Sequence, residues 1–278
     1  MTSRAYAEVI GDPVDHSMSP VIHSFWLEAL GIAADYRRRQ VTRAELAAYL
    51  ADRRADPDWR GSNVTMPLKL DAISLADDAT DRAVGAGAAN VLVMRDGELL
   101  AANTDVGAIA IILQHLHRAG AAMGSVTLLG TGGAARAALV ALKLANISAI
   151  RIQARDMATA TKLAVEFGIE VEPVPLTDLI EGDGLINATP LGMPGRECLN
   201  CDLSHLSAKG WVFDMVANPA DTPLIAAARA RGLAVATGLE MLVEQAATSF
   251  KLFFGVDPPR DRDAALWQKL GLWQKLRP

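Results

Sequence analysis

The chain has 278 residues, and its 27 Lys or Arg against 32 Asp or Glu give a net charge of −5. A mildly acidic chain without a basic cluster argues against nucleic-acid binding, because phosphates require concentrated Lys and Arg. Hydrophobic residues make up 51% of the chain and charged residues 21%. This composition excludes a disordered chain and indicates a globular protein with a sizeable core.

No apolar run reaches the ~18 residues that a membrane span needs, and the N-terminal residues lack the apolar stretch of a secretory signal. Two cysteines, Cys198 and Cys201, are too few for a disulfide scaffold. A reducing compartment is then the default, so we expect a cytoplasmic protein.

The first hundred residues predict short strands separated by helices. Ser19 is typical of a helix N-cap, Pro20 of the first helical position and Gly31 of a helix end. Asp96-Gly97 lies between two apolar runs, which is a strong hairpin signal. The predicted strands are 5–11, 35–41, 61–67 ending at Pro67, and the two arms of a hairpin within 90–104; the predicted helices are 19–30 and 43–54.

From residue 105 the pattern becomes helical, and a regular strand–helix alternation follows. The first predicted strand begins at residue 125, at the start of the segment 125–145, and the later ones cover 149–154, 184–189, 211–216 and 233–238. The predicted helices follow residue 105, close the segment 125–145, and cover 157–167, 222–231, 240–254 and 263–276. Such alternation implies a parallel sheet with helices on both faces.

The predicted fold class is therefore α/β with two lobes. Residues 106–238 are expected to form a Rossmann-type, doubly wound parallel sheet domain that binds a dinucleotide. Residues 1–105 are expected to form an α/β substrate domain, completed by the helices of 239–278.

A glycine loop follows the strand that begins at residue 125 and opens the next helix. Gly130, Gly132, Gly133 and Ala134 belong to this loop, in a GxGGAA pattern that keeps Ala135 at the third glycine position. Such glycines let the backbone approach a pyrophosphate, which the N–H groups of the helix N-terminus then bind. The other interpretation is that this turn needs glycine for its shape alone.

Two residues beyond the next strand bear on the choice of cofactor. Arg155 favours NADP, because a guanidinium can meet the 2′-phosphate. Asp156 favours either NAD, through the ribose 2′-OH, or a plain helix N-cap.

Lys69 and Asp105 are the candidates for proton transfer. Each is expected at or just beyond a strand end, where open α/β sheets place their ligands. A hydride transfer leaves one proton to be moved, and a lysine oriented by a carboxylate can move it. Taken singly, each residue is more commonly a surface residue.

Several polar residues could bind a polyhydroxylated acid. Ser17 and Ser19 precede a helix and could bind a carboxylate, although simple N-capping by Ser19 explains them equally well. The other candidates, at strand ends, turns or mid-helix, are Asn63, Thr65, Asn90, Asn103 and Gln245. Each of these could instead satisfy the local backbone or lie half-exposed.

Taken together, these residues resemble the shikimate dehydrogenase family. The segments that carry the resemblance, in the order of the family, are HSMSP (16–20), SNVTMPLK (62–69), GAGAAN (85–90), NTD (103–105), GTGGAAR (130–136), INATPLGM (186–193), DMVANPADTPL (214–224) and GLEMLVEQAATSF (238–250). The resemblance covers nearly the whole chain and implies a substrate lobe, a Rossmann lobe and an active site in the cleft.

The resemblance also implies a function, reversible hydride transfer between NADP(H) and shikimate or 3-dehydroshikimate in aromatic amino acid biosynthesis. It assigns the catalytic pair to Lys69 and Asp105, and the 2′-phosphate contact to Arg155. It assigns the substrate carboxylate to Ser17 and Ser19 and the substrate hydroxyls to Thr65, Asn90, Asp105 and Gln245. We add Asn63 to the expected substrate residues, and Thr189, Met215 and Gly238 to the expected cofactor contacts. No metal is implied, and the expected partner is a small cyclic polyhydroxy acid bound to a monomer or homodimer.

Three positions depart from the family pattern. Ala217 stands where the family has a tyrosine that helps to hold the substrate carboxylate, Val106 replaces a glycine, and Pro190 replaces a serine. These departures leave open a relative that acts on quinate, aminoshikimate or another cyclic hydroxy acid, with NAD as a possible cofactor. A non-catalytic nucleotide-binding sensor is a further alternative. The Cys198/Cys201 pair, without a second pair nearby, is a weak sign of redox or zinc chemistry.

Overall fold

The computed structural model describes residues 4–170, 173–199 and 201–271. These residues fall into two compact units, and each is built around its own six-stranded sheet. Unit 1 contains the described residues up to Thr104 and from Gln245 onward, and unit 2 contains Asp105–Glu244.

Unit 1 has a mixed sheet in the order β2-β1-β3-β5-β6-β4. The strands β2, β1 and β3 are parallel, β3-β5 and β5-β6 are antiparallel pairs, and β4 pairs in parallel with β6. The elements are β1 (Tyr6–Gly11), α1 (Ser19–Leu30), β2 (Asp35–Gln40), α2 (Leu46–Arg54), β3 (Trp59–Val64), α3 (Lys69–Ser74), β4 (Asp78–Ala79), α4 (Asp81–Ala86), β5 (Val91–Arg95) and β6 (Glu98–Ala102).

Unit 2 has a fully parallel sheet in the order β12-β11-β10-β7-β8-β9. Counted within the unit, this is the doubly wound Rossmann order, which reverses direction between β7 and β10. The elements are α5 (Asp105–Arg118), β7 (Ser125–Leu129), α6 (Gly133–Leu144), β8 (Ala149–Ala154), α7 (Met157–Phe167), β9 (Val174–Pro175), β10 (Gly182–Asn187), β11 (Leu206–Asp214), α8 (Pro223–Ala230) and β12 (Ala234–Thr237).

The C-terminal part begins with α9 (Gly238–Phe254), and the boundary between the two units falls inside this helix. A short 3-10 turn (Arg260–Arg262) and α10 (Asp263–Lys269) follow in unit 1. The predicted last helix, 263–276, is therefore described as far as Lys269, and its residues 272–276 lie outside the described part of the chain.

Most predicted elements are present, and the α/β fold class with a Rossmann-type sheet is confirmed. The hairpin turns at Asp96 and Gly97, whose φ angles of 54° and 89° suit a tight two-residue loop. Gly31 ends α1 in the left-handed conformation. None of the described helices has both the length and the apolar character required to cross a bilayer.

Other local predictions were wrong. Ser19 is the first helical residue and not the N-cap; Met18 holds that position without a side-chain hydrogen bond. The third strand ends at Val64, because the chain turns at once and Leu68 N–H bonds the Thr65 carbonyl. Lys69 therefore begins a helix rather than ending a strand.

Short elements escaped prediction. The helices α3 and α4 have six residues each, and the strands β4 and β9 have two each. Elements of this length carry too few residues to show a helical or alternating pattern. The helix predicted over 43–54 also begins later, at Leu46.

Candidate active site

Five buried polar side chains of unit 1 form one hydrogen-bonded group, which we name the polar cluster. Its members come from β3, the loops before β5 and after β6, and the middle and C-terminal part of α9: Asn63, Asn90, Thr104, Gln245 and Ser249. Sequence reasoning selected three of them as substrate-binding residues. The structure brings those three together, because β3 and β5 are neighbouring strands and Gln245 in the middle of α9 lies against them.

Hydrogen bonds connect the members of the polar cluster. Asn63 Nδ2 donates to Ser249 Oγ at 2.8 Å, and Asn90 Nδ2 donates to Thr104 Oγ1 at 2.8 Å. Gln245 Oε1 lies 3.5 Å from Asn63 Nδ2, 3.3 Å from Asn90 Nδ2 and 3.5 Å from Thr104 Oγ1. Polar groups removed from water in this way remain satisfied by each other, so their side chains are held in fixed orientations.

Thr104 and Ser249 are cluster members that the sequence interpretation missed. Ser249 lies four residues after Gln245 on α9, where a helix places two side chains on the same face. That spacing was a usable signal for Ser249. Thr104 lies between Asn103 and Asp105, which were both selected, but nothing in its own spacing marks it.

The segment that contains Ser17 and Ser19 lies at the start of α1. Ser17 Oγ accepts a hydrogen bond from the Ser19 N–H at 3.3 Å, so it replaces the missing N-cap side chain. Arg38 of β2 binds the Ser17 carbonyl through Nε at 3.0 Å and Nη2 at 2.5 Å. Ser17 is half-buried and Ser19 is buried.

Thr65 and Lys69 lie in the turn between β3 and α3. Thr65 N–H bonds the carbonyl of Ile10, and the Lys69 carbonyl accepts from the Ala89 N–H at 2.8 Å. The turn packs closely on β1, because a Cβ atom at Gly11 would lie only 2.7 Å from the Met66 carbonyl oxygen. Lys69 is half-buried in unit 1, whereas Asp105 is 3% exposed and is the first residue of α5 in unit 2.

Asn103, the remaining polar candidate, donates to the Ala88 carbonyl at 2.8 Å.

In unit 2 the glycine loop connects β7 to α6 at the point where the sheet order reverses. Gly130 has a φ of 105°, and a Cβ atom there would lie 3.1 Å from the Ala188 carbonyl oxygen. Gly132 is the N-cap of α6 and offers no side chain, and Gly133 and Ala134 begin the helix. The first N–H groups of α6 are therefore not covered by a capping side chain, which suits a bound phosphate.

Arg155 and Asp156 follow the end of β8 and have separate environments. Asp156 caps α7, because its carboxylate accepts from the Thr159 N–H at 3.1 Å and from the Thr159 hydroxyl at 2.6 Å. These bonds lower the pKa of Asp156. Arg155 is exposed, and no ion pair to it is found among residues 4–170, 173–199 and 201–271. The sequence left two roles open for Asp156, a contact with the ribose of NAD or a helix N-cap, and in the structure Asp156 is the N-cap of α7.

The loops after β10 and β11 are connected by a buried network that sequence reasoning missed. Asn187 Nδ2 donates to Asp214 Oδ1 at 2.9 Å, and the Thr222 hydroxyl donates to Asp214 Oδ2 at 2.6 Å. Burial raises the pKa of Asp214, and these hydrogen bonds partly oppose that rise. Both Asn187 and Asp214 lie inside the quoted motifs, which was the available signal.

Three predicted cofactor contacts lie beside this network. Thr189 donates its N–H and its hydroxyl to Asn187 Oδ1 at 3.0 Å and 2.6 Å. Met215 N–H bonds the Asn187 carbonyl at 3.0 Å. Gly238, the first residue of α9, has no room for a Cβ atom against the backbone of Met215. The network therefore fixes the two loops at the carboxyl ends of their strands, where this fold binds ligands.

Cys198 is exposed and Cys201 is half-buried, and both are free thiols. Burial raises the pKa of Cys201 to about 11, so this thiol stays protonated at neutral pH. Among the described residues, no group of three or more His, Cys, Asp or Glu side chains is arranged to hold a metal ion.

The parallel sheet order, the glycine loop at the reversal point and the uncapped helix define the class: a dinucleotide-binding α/β protein. Comparisons with known proteins give the family. The model of the shikimate dehydrogenase substrate binding domain matches residues 9–92, and that of the shikimate 5′-dehydrogenase C-terminal domain matches residues 238–264.

A curated shikimate dehydrogenase (NADP(+)) of Sphingopyxis alaskensis is 46% identical over 263 residues, covering 94% of this chain and 95% of that protein. The crystal structure of shikimate 5-dehydrogenase from Thermus thermophilus with NADP(H) and shikimate has a TM-score of 0.81 and 32% identity, covering 95% and 99% of the two chains. The quinate dehydrogenase of Corynebacterium glutamicum with NAD has a TM-score of 0.81 and 29% identity, covering 96% and 98%. The chain belongs to the shikimate dehydrogenase family.

Proposed function

We propose that this protein is an NADP-dependent shikimate dehydrogenase, which transfers a hydride reversibly between NADP(H) and shikimate or 3-dehydroshikimate. The observation that carries the proposal is the joint presence, in one chain of this family, of the polar cluster in unit 1 and the uncapped glycine loop in unit 2. The 46% identity to an NADP-dependent shikimate dehydrogenase supports it over almost the whole chain.

The residues of unit 2 suit the cofactor. We propose that Gly130, Gly132, Gly133 and Ala134 hold the pyrophosphate, because their backbone leaves a cradle that Cβ atoms and a capping side chain would fill. Arg155 binds the 2′-phosphate, since Asp156 is engaged with Thr159. Thr189, Met215 and Gly238 line the nicotinamide side. When bound by these residues, NADP(H) would supply the hydride-transfer chemistry.

The residues of unit 1 bind and orient the substrate. We propose that Asn63, Thr65, Asn90 and Gln245 hold the ring hydroxyls, and that Ser17 and Ser19 hold the carboxylate. Lys69 takes the hydroxyl proton as the carbon loses its hydride, and it returns a proton to the oxygen in the reverse direction. Asp105 orients the amine of Lys69 for this transfer. By role, residues 1–105 with 239–278 are the substrate domain, and 106–238 the cofactor domain.

A second candidate is a paralogue that acts on quinate, aminoshikimate or another cyclic hydroxy acid. Ala217 favours it, because a half-buried alanine in the loop after β11 supplies no hydroxyl for the substrate carboxylate. A non-catalytic sensor is disfavoured, because both Lys69 and Asp105 are retained. We also propose a cytoplasmic location and a monomeric or homodimeric state.

One experiment separates these candidates: a matrix of kcat/KM values for shikimate, quinate and aminoshikimate, each with NADP and NAD. The highest value for shikimate with NADP supports the main proposal. A higher value for another acid supports the paralogue. Cofactor binding without any turnover would point to the sensor.

A further inference from the structure

The hydrogen bonds of the polar cluster have a fixed direction, and the first reason lies at Thr104. A backbone N–H can only donate, and that of Thr104 lies 2.7 Å from Asn90 Oδ1. Asn90 Nδ2 is therefore on the other side of the amide, where Gln245 Oε1 is 3.3 Å away. It follows that Gln245 directs its oxygen, and not its amino group, toward Asn90.

A second, independent reason lies at Ser249. A hydroxyl has one proton, and Ser249 Oγ donates it to the backbone carbonyl of Gln245 at 2.9 Å. Ser249 Oγ must then accept from Asn63 Nδ2 at 2.8 Å. The oxygen of the Asn63 amide consequently faces away from Ser249 and toward Tyr36, whose hydroxyl lies 2.6 Å from Asn63 Oδ1.

Tyr36 is well placed to be the donor of that bond. It lies on β2, is 6% exposed, and its ring stacks on His23 at 4.0 Å between centroids with 9° between planes. Burial raises the pKa of the Tyr36 phenol, against a smaller opposite effect of a hydrogen bond with Ser19. The phenol thus keeps its proton at neutral pH, and its stacked ring keeps that proton aimed at Asn63.

We propose that Tyr36 is a positioning residue of the substrate site: its hydroxyl proton fixes the amide of Asn63, and through Asn63 Nδ2, which lies 3.5 Å from Gln245 Oε1, it helps to fix the amide of Gln245. The proposal rests on the assignment of Asn63, Asn90 and Gln245 to the substrate. Gln245 Oε1 faces the cluster, so its Nε2 is on the opposite side of the amide. A donor in a fixed position suits a substrate oxygen, which accepts hydrogen bonds both as an alcohol and as a ketone.

Tyr36→Phe removes the proton and keeps the ring. Asn63 Oδ1 then loses its donor while it stays buried, and the amide is free to turn over. We expect the KM and the Kd for the hydroxy acid to rise about tenfold, with kcat changed less than about threefold and the KM for NADP unchanged.

Tyr49→Phe is the matched control. Tyr49 is a buried tyrosine of unit 1, and its hydroxyl bonds Glu8 and Ser62, each at 2.7 Å, outside the polar cluster. We expect a comparable loss of stability and no change in KM. An unchanged KM in Tyr36→Phe, or an equal rise in both variants, would overturn the proposal.

A measurement without substrate keeps this inference separate from the proposed function. In an NMR spectrum of the free protein, the side-chain amide protons of Asn63, Asn90 and Gln245 should be dispersed and protected from exchange. Tyr36→Phe should remove that protection at Asn63 and Gln245, whereas Tyr49→Phe should preserve it. If the wild type turned over none of the cyclic acids, the proposed function would fail, and these amide signals would still decide the role of Tyr36.

Discussion

Both carboxylate oxygens of Asp156 accept hydrogen bonds from Thr159, one from its backbone N–H at 3.1 Å and one from its hydroxyl at 2.6 Å. This pair closes the N-terminus of α7 immediately after Arg155. The two adjacent residues of opposite charge therefore have different tasks: Asp156 caps a helix, and Arg155 extends into solvent.

Arg155→Ala should weaken the binding of NADP by about 10- to 100-fold, because a charge-assisted contact to the 2′-phosphate is lost. The binding of NAD, which lacks that phosphate, should change little. Titration of both cofactors measures the two affinities. Asp156→Ala serves as the control: it should cost about 1 kcal/mol of unfolding free energy through the lost cap, without changing the cofactor preference. Equal losses for NADP and NAD in Arg155→Ala would contradict the assignment.

Lys69→Ala should lower kcat by about 10²- to 10⁴-fold, because the group that moves the substrate proton is removed. The affinity for NADP should stay the same, since Lys69 begins α3 in the substrate-binding unit. Steady-state kinetics and a separate cofactor titration provide the two values. The exposed Lys143→Ala, on α6, is the control for loss of one positive charge. A near-normal kcat in Lys69→Ala would remove the lysine from the mechanism.

His23 should make the protein less stable in acid. It is fully buried, and neither ring nitrogen has a hydrogen-bond partner among the described residues. Burial lowers its pKa from 6.5 to about 3. The unfolded chain therefore binds a proton that the folded chain does not, so stability falls as pH drops from 6.5 toward 3, by about 1.4 kcal/mol per pH unit.

His23→Phe keeps a ring that can stack on Tyr36 and should remove this slope from the unfolding free energy. Urea denaturation at several pH values between about 4 and 7 measures it. The exposed His117→Gln should leave the slope as it is in the wild type. A slope in His23→Phe equal to that of the wild type would assign the effect to another group.

Ala217→Tyr should lower the KM for shikimate, if shikimate is the substrate. A phenol at this position offers the carboxylate one hydrogen bond, which is worth about 1.5 to 3 kcal/mol to a charged group. Ala217→Phe supplies the ring without the hydroxyl and is the control. The idea fails if both variants bind shikimate equally, or if neither differs from the wild type.

Much of the fold was predictable from local signals. The strand–helix alternation after residue 125 and the glycine loop indicated the parallel sheet of unit 2, and Asp96-Gly97 indicated the hairpin. These features depend on periodicity and on backbone conformations that few residues adopt, so they can be read from neighbouring positions. The motifs also named Asn63, Asn90 and Gln245 as members of one site.

Only the tertiary structure decided how those side chains are oriented and what else holds them. Tyr36 and Asn63 are 27 residues apart, and Asn63 and Ser249 are 186 apart. No local pattern can pair residues at such separations, because strand order and the position of α9 bring them together. Asp156 and Ser19 differ from these pairs, because their partners Thr159 and Ser17 are only three and two residues away. Their residue types permit several roles, and the local backbone conformation selects one of them.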